Sequence, residues 1–393
     1  MRRCRLGVFL LVSCLALGGC WDERPIEQLS FVTLAAFDGT PGHVQAYLEA
    51  TVPTSIPGGS GAAGGGGGGG GNGTYVALQG SGPDETAAMQ DIQLHSSKSL
   101  WFGQIEVVLV SDRLAKSGGM ADAMDYFMRE GKTRTVAWTY VSPHAEMKRL
   151  IRVRPVDVSY PAMAIVDLSL GEKAVTEFNT ARVYDVYAAL HDTGRDASVP
   201  YLTAAEGEFQ AGPTALFSGP RLAGLLTGTA SRGLPILTNM RGEEAPVTVP
   251  CGPKGVLSVA VSVPQTGLGA EVRNGHLEAL RVVVRGGVHI TQASSCSGNL
   301  STKSAMDRLS DLVGRTLDDE LQETVRESQK LDSDPIGFGD YLRATQPTLW
   351  AAIRSRWHEV YPRVPVVVTV HVRVAKTGLL KTGEPVEQAM ASS

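Results

Sequence analysis

Cysteine is scarce in this chain, five in 393 residues. That excludes a disulfide-stapled miniprotein and any zinc module built on paired Cys-x-x-Cys. Aromatic residues make up 6%, and no basic stripe interleaves with them, which argues against nucleic acid as a partner. The eight histidines form neither an HExxH nor any other short-spaced metal pattern. There is no Gly-x-Ser-x-Gly elbow and no cysteine in a nucleophile setting. Apart from a shorter stretch near the start, the chain has no long apolar run, and crossing a bilayer takes roughly 20 such residues.

Glycine, by contrast, is abundant, and eight run in succession from Gly64 to Gly71. No Lys-Ser or Lys-Thr follows and no helix starts there, so this is not a phosphate loop. Residues 57–73 read as a disordered Gly-rich insertion between two strands. Asp332-Ser333-Asp334-Pro335-Ile336-Gly337 faintly resembles a calcium loop. Ile336 stands where a ligand is needed and no Glu closes the loop, so a helix-terminating turn is expected. Asp318-Asp319 and Glu243-Glu244 are consecutive and splay apart as solvated surface. The residues therefore present no active site, and the expectation is a protein that is not an enzyme and carries no metal or cofactor other than a covalent lipid.

The lipid expectation comes from the first thirty residues. Arg2, Arg3 and Arg5 precede an apolar Leu6–Leu17, and Leu17-Gly18-Gly19-Cys20 closes the run. This is a secretory signal over 1–19, too short to span comfortably, with small residues ahead of a thiol. The pattern resembles a bacterial lipobox, which implies cleavage between Gly19 and Cys20 and a diacylglycerol on Cys20. An ordinary secretory signal with an incidental cysteine, or an uncleaved anchor, are the other readings. Removing 1–19 takes away three arginines and no acid, so the formal charge moves from -4 to about -7. Trp21 is placed either at the membrane interface or against the first domain. Cys251 and Cys296 then remain as a possible disulfide or two idle thiols.

The whole chain is 43% hydrophobic and 19% charged, as in a folded protein of two or three domains. Alternating strands and amphipathic helices, among them Arg113–Arg129, predict an N-terminal α/β domain over 20–199. A β-rich middle domain or subdomain is expected over 200–250, an α+β domain over 251–380 and a flexible tail over 381–393. Ser304 and Asp307 suggest a capping box opening a long helix, and Thr348–Glu359 a second one. Val366, Val368, Val370, Val372 and Val374 share one face of a closing strand, with Trp350 and Trp357 as core against it. His289 and His371 are expected as structural residues within strands. The fold class read from this order is α+β: multidomain, with a C-terminal antiparallel sheet bearing long helices on one face.

Four stretches carry a resemblance. CWDERPIEQLSFVTLAAFDG, LWFGQIEVVLVSDRLAKSGGMADAMDYFMRE, TALFSGPRLAGLLTGTASRGLPIL and SDPIGFGDYLRATQPTLWAAIRSRWHEVYPRVPVVVTVHVRVAKTG together resemble the Ger(x)C family, the C-subunit lipoproteins of nutrient germinant receptors in spore-forming bacteria. The segment Gly228-Thr229-Ala230-Ser231 lacks the acidic residues expected before Arg232-Gly233, and the polyglycine insertion is idiosyncratic. The resemblance implies a non-catalytic subunit, lipid-anchored on the extracytoplasmic side of the spore inner membrane. Its implied partners are A and B membrane subunits. A free-standing solute-binding lipoprotein of a transporter is the alternative, and two similar α/β lobes would support it.

Overall fold

The computed structural model describes residues 25–51, 75–131, 133–171, 178–205, 207–238, 244–250, 255–292 and 302–376. Two antiparallel strands, β1 (Leu29–Thr40) and β2 (His43–Thr51), open the chain. They are followed by β3 (Tyr75–Gly82), helix α1 (Glu85–His95), β4 (Ser99–Trp101) and β5 (Val107–Ser111). Next come α2 (Asp112–Lys116), α3 (Met120–Arg129), β6 (Trp138–Ser142), α4 (Met147–Leu150), α5 (Pro161–Gly171) and α6 (Val183–His191). The single helix expected over Arg113–Arg129 is in fact two, because Gly118 adopts a left-handed φ of 95°, which glycine allows at little strain.

The first sheet then continues past Pro200 through β7 (Ser198–Ala205), β8 (Glu208–Ser218) and β9 (Arg221–Leu226). Its nine strands run β3-β2-β1-β5-β6-β7-β8-β9, with β4 on the flank of β1. β1 is buried along nearly its whole length: Val32, Leu34, Ala35, Ala36 and Phe37 are all fully enclosed. A strand reads as a continuous apolar run when both faces are covered. One face here packs α1, α2, α3 and α6 through Met89, Leu114, Met124, Phe127 and Val186. The other packs α4 and α5 through Met147, Leu150, Ala162 and Ile165.

Helix α7 (Gly228–Leu237) leads to the second sheet, β10 (Glu244–Pro250), β11 (Val256–Arg273), β12 (His276–Gln292) and, after the intervening helices, β13 (Val366–Lys376). β11 and β12 meet at Asn274-Gly275, both with positive φ (51° and 77°), as a two-residue hairpin turn of the primed type requires. This sheet is mixed, not antiparallel as expected: β12 and β13 pair in parallel, with Leu280 opposite Val366 and Val288 opposite Val374. The crossover between them makes parallel pairing possible. It contains α8 (Lys303–Lys330), α9 (Phe338–Thr345), α10 (Pro347–Ile353) and α11 (Trp357–Val360).

The cap of α8 is Thr302, whose hydroxyl accepts from the Ala305 N–H at 3.3 Å, two residues ahead of the expected Ser304. The helix expected over Thr348–Glu359 is split between α10 and α11 by a short 3-10 turn at Arg354–Arg356. Leu309, Val313, Leu317, Leu321 and Val325 of α8 are buried against the second sheet. Leu216 and Leu226 of the first sheet belong to that same core. The α+β class holds.

Candidate functional site

Where the two sheets meet, two buried aspartates dominate. Asp334 lies just beyond the C-terminal end of α8, in the turn that the sequence reading treated as a helix terminator, and is 1% exposed. One carboxylate oxygen accepts the N–H groups of Gly337 (2.9 Å) and Phe338 (3.2 Å). The other accepts Gly339 N–H (2.9 Å) and the Trp357 indole N–H (3.0 Å). A single side chain thus satisfies the orphan donors at the start of α9 and fixes the tryptophan 23 residues later.

Asp196 approaches from the segment ahead of β7 and is 6% exposed. Its N–H donates to Asp334 O at 2.9 Å, and its carboxylate accepts Asp334 N–H at 2.8 Å. The second oxygen of Asp196 accepts Gly219 N–H at 2.9 Å, and His358 Nδ1 stands 3.6 Å from the first. Burial pushes the Asp334 carboxyl up to about 6 against the N–H groups of Gly339 and Phe338, which pull it down. Burial also raises Asp196, with the His358 charge opposing.

Around this pair the two units are closely stitched. Asp340 N–H donates to Gly194 O at 2.8 Å. Arg343 forks onto both oxygens of Asp192 (2.8 and 3.1 Å) and reaches Asp340 at 2.7 Å. Burial raises the Asp192 carboxyl, but the Arg343 hydrogen bond and the Gly194 N–H outweigh it and hold that carboxyl below its ordinary value. A side chain at Gly339 would stand 2.7 Å from Gly194 O and 2.8 Å from Gly194 Cα, so the two backbones meet only because this position is glycine. Gly337 holds a left-handed φ of 87°.

The tryptophans expected as core are core. Trp350 and Trp357 are buried with ring centroids 5.5 Å apart, edge to face, and Trp357 stacks on Tyr361 at 5.7 Å. Tyr361 hydroxyl meets Ser328 Oγ at 2.9 Å. His289 and His371 lie within β12 and β13 as expected, His289 3.3 Å from Glu244.

A cleft of about 350 Å³ opens beside the joint, lined by Asp185, Asp192, Arg195, Asp196, Pro335 and Asp340 among others. Three of its carboxylates are engaged: Asp192 and Asp340 by Arg343, Asp196 by main-chain N–H groups. Among the described residues no group of three His, Cys, Asp or Glu is placed to hold a metal ion, and no helix is long and apolar enough to cross a membrane. The arrangement therefore joins the two folded units, and Asp192, Asp196, Asp334 and Asp340 are all engaged in that joint. Cys20, Trp21, Cys251 and Cys296 lie outside the described residues.

Two family models match the chain, and their boundary falls within the first sheet, ahead of and inside β8. A family model described as the spore germination protein N-terminal domain matches residues 22–204, and one described as spore germination B3/GerAC-like, C-terminal, matches residues 213–378. The chain belongs to this family of spore germination proteins. Spore germination protein KC of Bacillus subtilis (strain 168) is 24% identical over 402 residues, covering 96% of this chain and 97% of that protein. Spore germination protein B3 of the same organism is 18% identical over 381 residues, covering 93% and 95%. The crystal structure of the GerBC protein has the same fold, with a TM-score of 0.52 at 13% identity over 89% of this chain and 99% of that one. The Ger(x)C resemblance read from the sequence is thus correct.

Asp196 and Asp334 were not singled out as functional residues by sequence reasoning. The available signal was Asp-Pro-Ile-Gly-Phe-Gly after a long amphipathic helix: an acid followed by two glycines, able to receive successive N–H groups.

Proposed function

We propose that this chain is the lipid-anchored, non-catalytic subunit of a nutrient germinant receptor, serving assembly or signal relay at the outer face of the spore inner membrane. The observation that carries the reading is an order: the lipobox Leu17-Gly18-Gly19-Cys20, followed at once by a body that the family matches from residue 22 to residue 378. A diacylglycerol on Cys20 holds that body at the membrane more firmly than a single acyl chain would. The joint at Asp196 and Asp334 supports relay, since a partner pressing on one unit moves the other instead of being absorbed by a loose linker. The solute-binding alternative is less well supported. Its two similar lobes find no counterpart in a nine-stranded and a four-stranded sheet.

The test is purification of a C-terminally tagged chain from spore inner membranes in mild detergent, with and without Cys20→Ala. Recovery of a transporter-like multi-pass protein together with a second, larger membrane subunit is expected, and Cys20→Ala should leave the chain in the soluble fraction. Recovery of the lipidated chain alone, under conditions that keep other complexes whole, would overturn the receptor reading.

A further inference from the structure

We propose that the end of the first sheet from which residue 25 leads back to Cys20 is a bilayer-contact face, so that the body rests on the phospholipid surface and does not swing free of it. This rests on the reading of Cys20 as lipidated. Four residues separate Cys20 from Pro25, five steps that span at most about 18 Å of extended chain. Whatever that end of the sheet displays is therefore held beside the headgroups.

The parallel strands all begin at this end. Leu29 of β1 pairs with Ser99 of β4, and Leu34 pairs with Val107 of β5, which pairs with Trp138 of β6. Four large apolar side chains stand exposed around these strand starts: Ile26 (54%), Leu94 (83%), Val136 (54%) and Tyr184 (57%). Each is held there by the main chain. The last turn of α1, with Leu94, is tied to β4 by Gln93, which donates to Lys98 O at 3.0 Å and accepts from Leu100 N–H at 2.9 Å. Tyr184 N–H donates to Thr135 O at 3.0 Å, beside Val136. Arg182 lies over the Trp138 ring at 3.1 Å and donates to Val136 O.

The opposite end of the same strands differs. Its turns carry Asp112, Arg113, Lys116, His144 and Glu146, and one exposed large apolar side chain, Val156, follows Arg154, whose carbonyl stands 3.4 Å from the Cβ position of Gly207 in the β7–β8 turn. Among the described residues, four such side chains lie around the attachment end against the single Val156 by the other, and a gathered apolar surface, unlike a scattered one, marks a contact site. Charge at the apolar end nearly cancels, with three cations, Lys98, Arg134 and Arg182, against four acids, Glu27, Asp91, Glu106 and Asp185. Contact is therefore apolar and indifferent to anionic lipid. A tether this short supplies a high effective concentration, so a weak surface affinity suffices to hold the orientation.

The test uses full-length lipoprotein processed in bacterial cells, carrying a coumarin amino acid at Leu94, at Val136 or, as control, at the exposed His43 of the opposite end. Each protein is checked for an unchanged melting transition, then reconstituted into phosphatidylcholine vesicles containing a spin-labelled quencher lipid. Vesicle flotation and the mass of the N-terminal peptide are measured first. Quenching several-fold stronger at 94 and 136 than at 43, and insensitive to salt, is expected. Equal quenching at all three positions in protein that floats would overturn the contact face while leaving the anchor intact. Protein that does not float and carries no lipid would overturn the anchor reading and this inference with it.

Discussion

Asp196 and Asp334 hold each other's main chain. Asp196 N–H donates to Asp334 O, and Asp334 N–H donates to the Asp196 carboxylate, at 2.9 and 2.8 Å. The two residues are 138 positions apart, one entering the first sheet and one leaving the long helix of the second. Both are buried, so each hydrogen bond acts without competition from water and its loss leaves a stranded donor or acceptor.

Replacing Asp334 by Ala strands four buried N–H donors at once, those of Gly337, Phe338, Gly339 and Trp357. Removing one member of such a buried charged network destabilises by about 3–5 kcal/mol. Asp334→Asn is expected to rescue little, because its amide group presents N–H to donors where an oxygen is needed. Urea unfolding of the two variants beside the wild type checks this. Loss below about 1 kcal/mol in Asp334→Ala would mean that water or a rearranged turn replaces the carboxylate.

Much of the architecture was open to reading because it is written locally. The continuous apolar run of β1, the three-and-four spacing of α8 and the alternating valines of β13 each announce an element and its buried face. The direction in which β13 pairs is not written locally, since periodicity is the same for parallel and antiparallel neighbours. The joint was unreadable for a related reason. Asp196 is a lone acid in a connecting segment, and the donors that give it meaning arrive from Gly219 and Asp334. Asp334 itself sits in a readable turn, but the indole that completes its shell belongs to a helix beyond the next one.

Stability should fall as pH rises through the neutral range, and Glu49 is the main cause. Its carboxyl is fully buried within β2 and pushed up to about 8 by that burial, against the hydrogen bond from Thr33 (2.5 Å) and the N–H of Ala162 (3.1 Å). The folded state therefore holds a proton between about pH 4.5 and 8 that the unfolded chain has released, and stability declines across that window by up to about 1.4 kcal/mol per pH unit. Asp334 adds to the decline between 3.8 and about 6. In Glu49→Gln the amide can donate to Thr33 Oγ1 and accept from Ala162, as the neutral acid does. That variant should match the wild type near pH 5 and exceed it at pH 8.5. Parallel pH profiles of melting temperature in both proteins would refute the assignment.

The outer edge of β13 is sealed by one row of α8, residues 310, 314, 318 and 322. Ser310 Oγ accepts Val374 N–H at 3.0 Å, and the Asp318 carboxyl accepts Val370 N–H. Gln322 donates to Val366 O (3.0 Å) and accepts from Val368 N–H (3.3 Å). Four helix residues advance about 6.0 Å and two strand residues about 6.6 Å, so the two ladders stay in step over this length. Gln322→Ala leaves two main-chain groups of an edge strand without their partner. A loss of about 1–3 kcal/mol is expected, together with faster amide exchange at Val368 than at Val374. Equal exchange at the two positions would mean that the row is packing alone.

Cys251 and Cys296 lie outside the described residues, and we propose from their described flanks that they are bridged. Pro250 pairs with Val256, and Ser258 pairs with Gln292. Positions 250 and 292 therefore lie at the same end of the second sheet, on strands two places apart and roughly 10 Å from each other. Cys251 is the next residue after 250 and Cys296 the fourth after 292, so the connecting chain is long enough to bring their Cα atoms within the roughly 4–7 Å that a bridge needs. In an oxidising extracytoplasmic setting we expect the pair to be joined. Peptide mapping without reductant should then recover the two segments as one linked species, and the native protein should present no titratable thiol at either position. Closing a loop of this length stabilises by about 4 kcal/mol in the chain-entropy account. Cys251→Ser, Cys296→Ser and the double variant should accordingly melt alike and below the wild type. Two thiols that react freely in protein isolated under oxidising conditions would overturn the bridge, and the three variants would then melt as the wild type does.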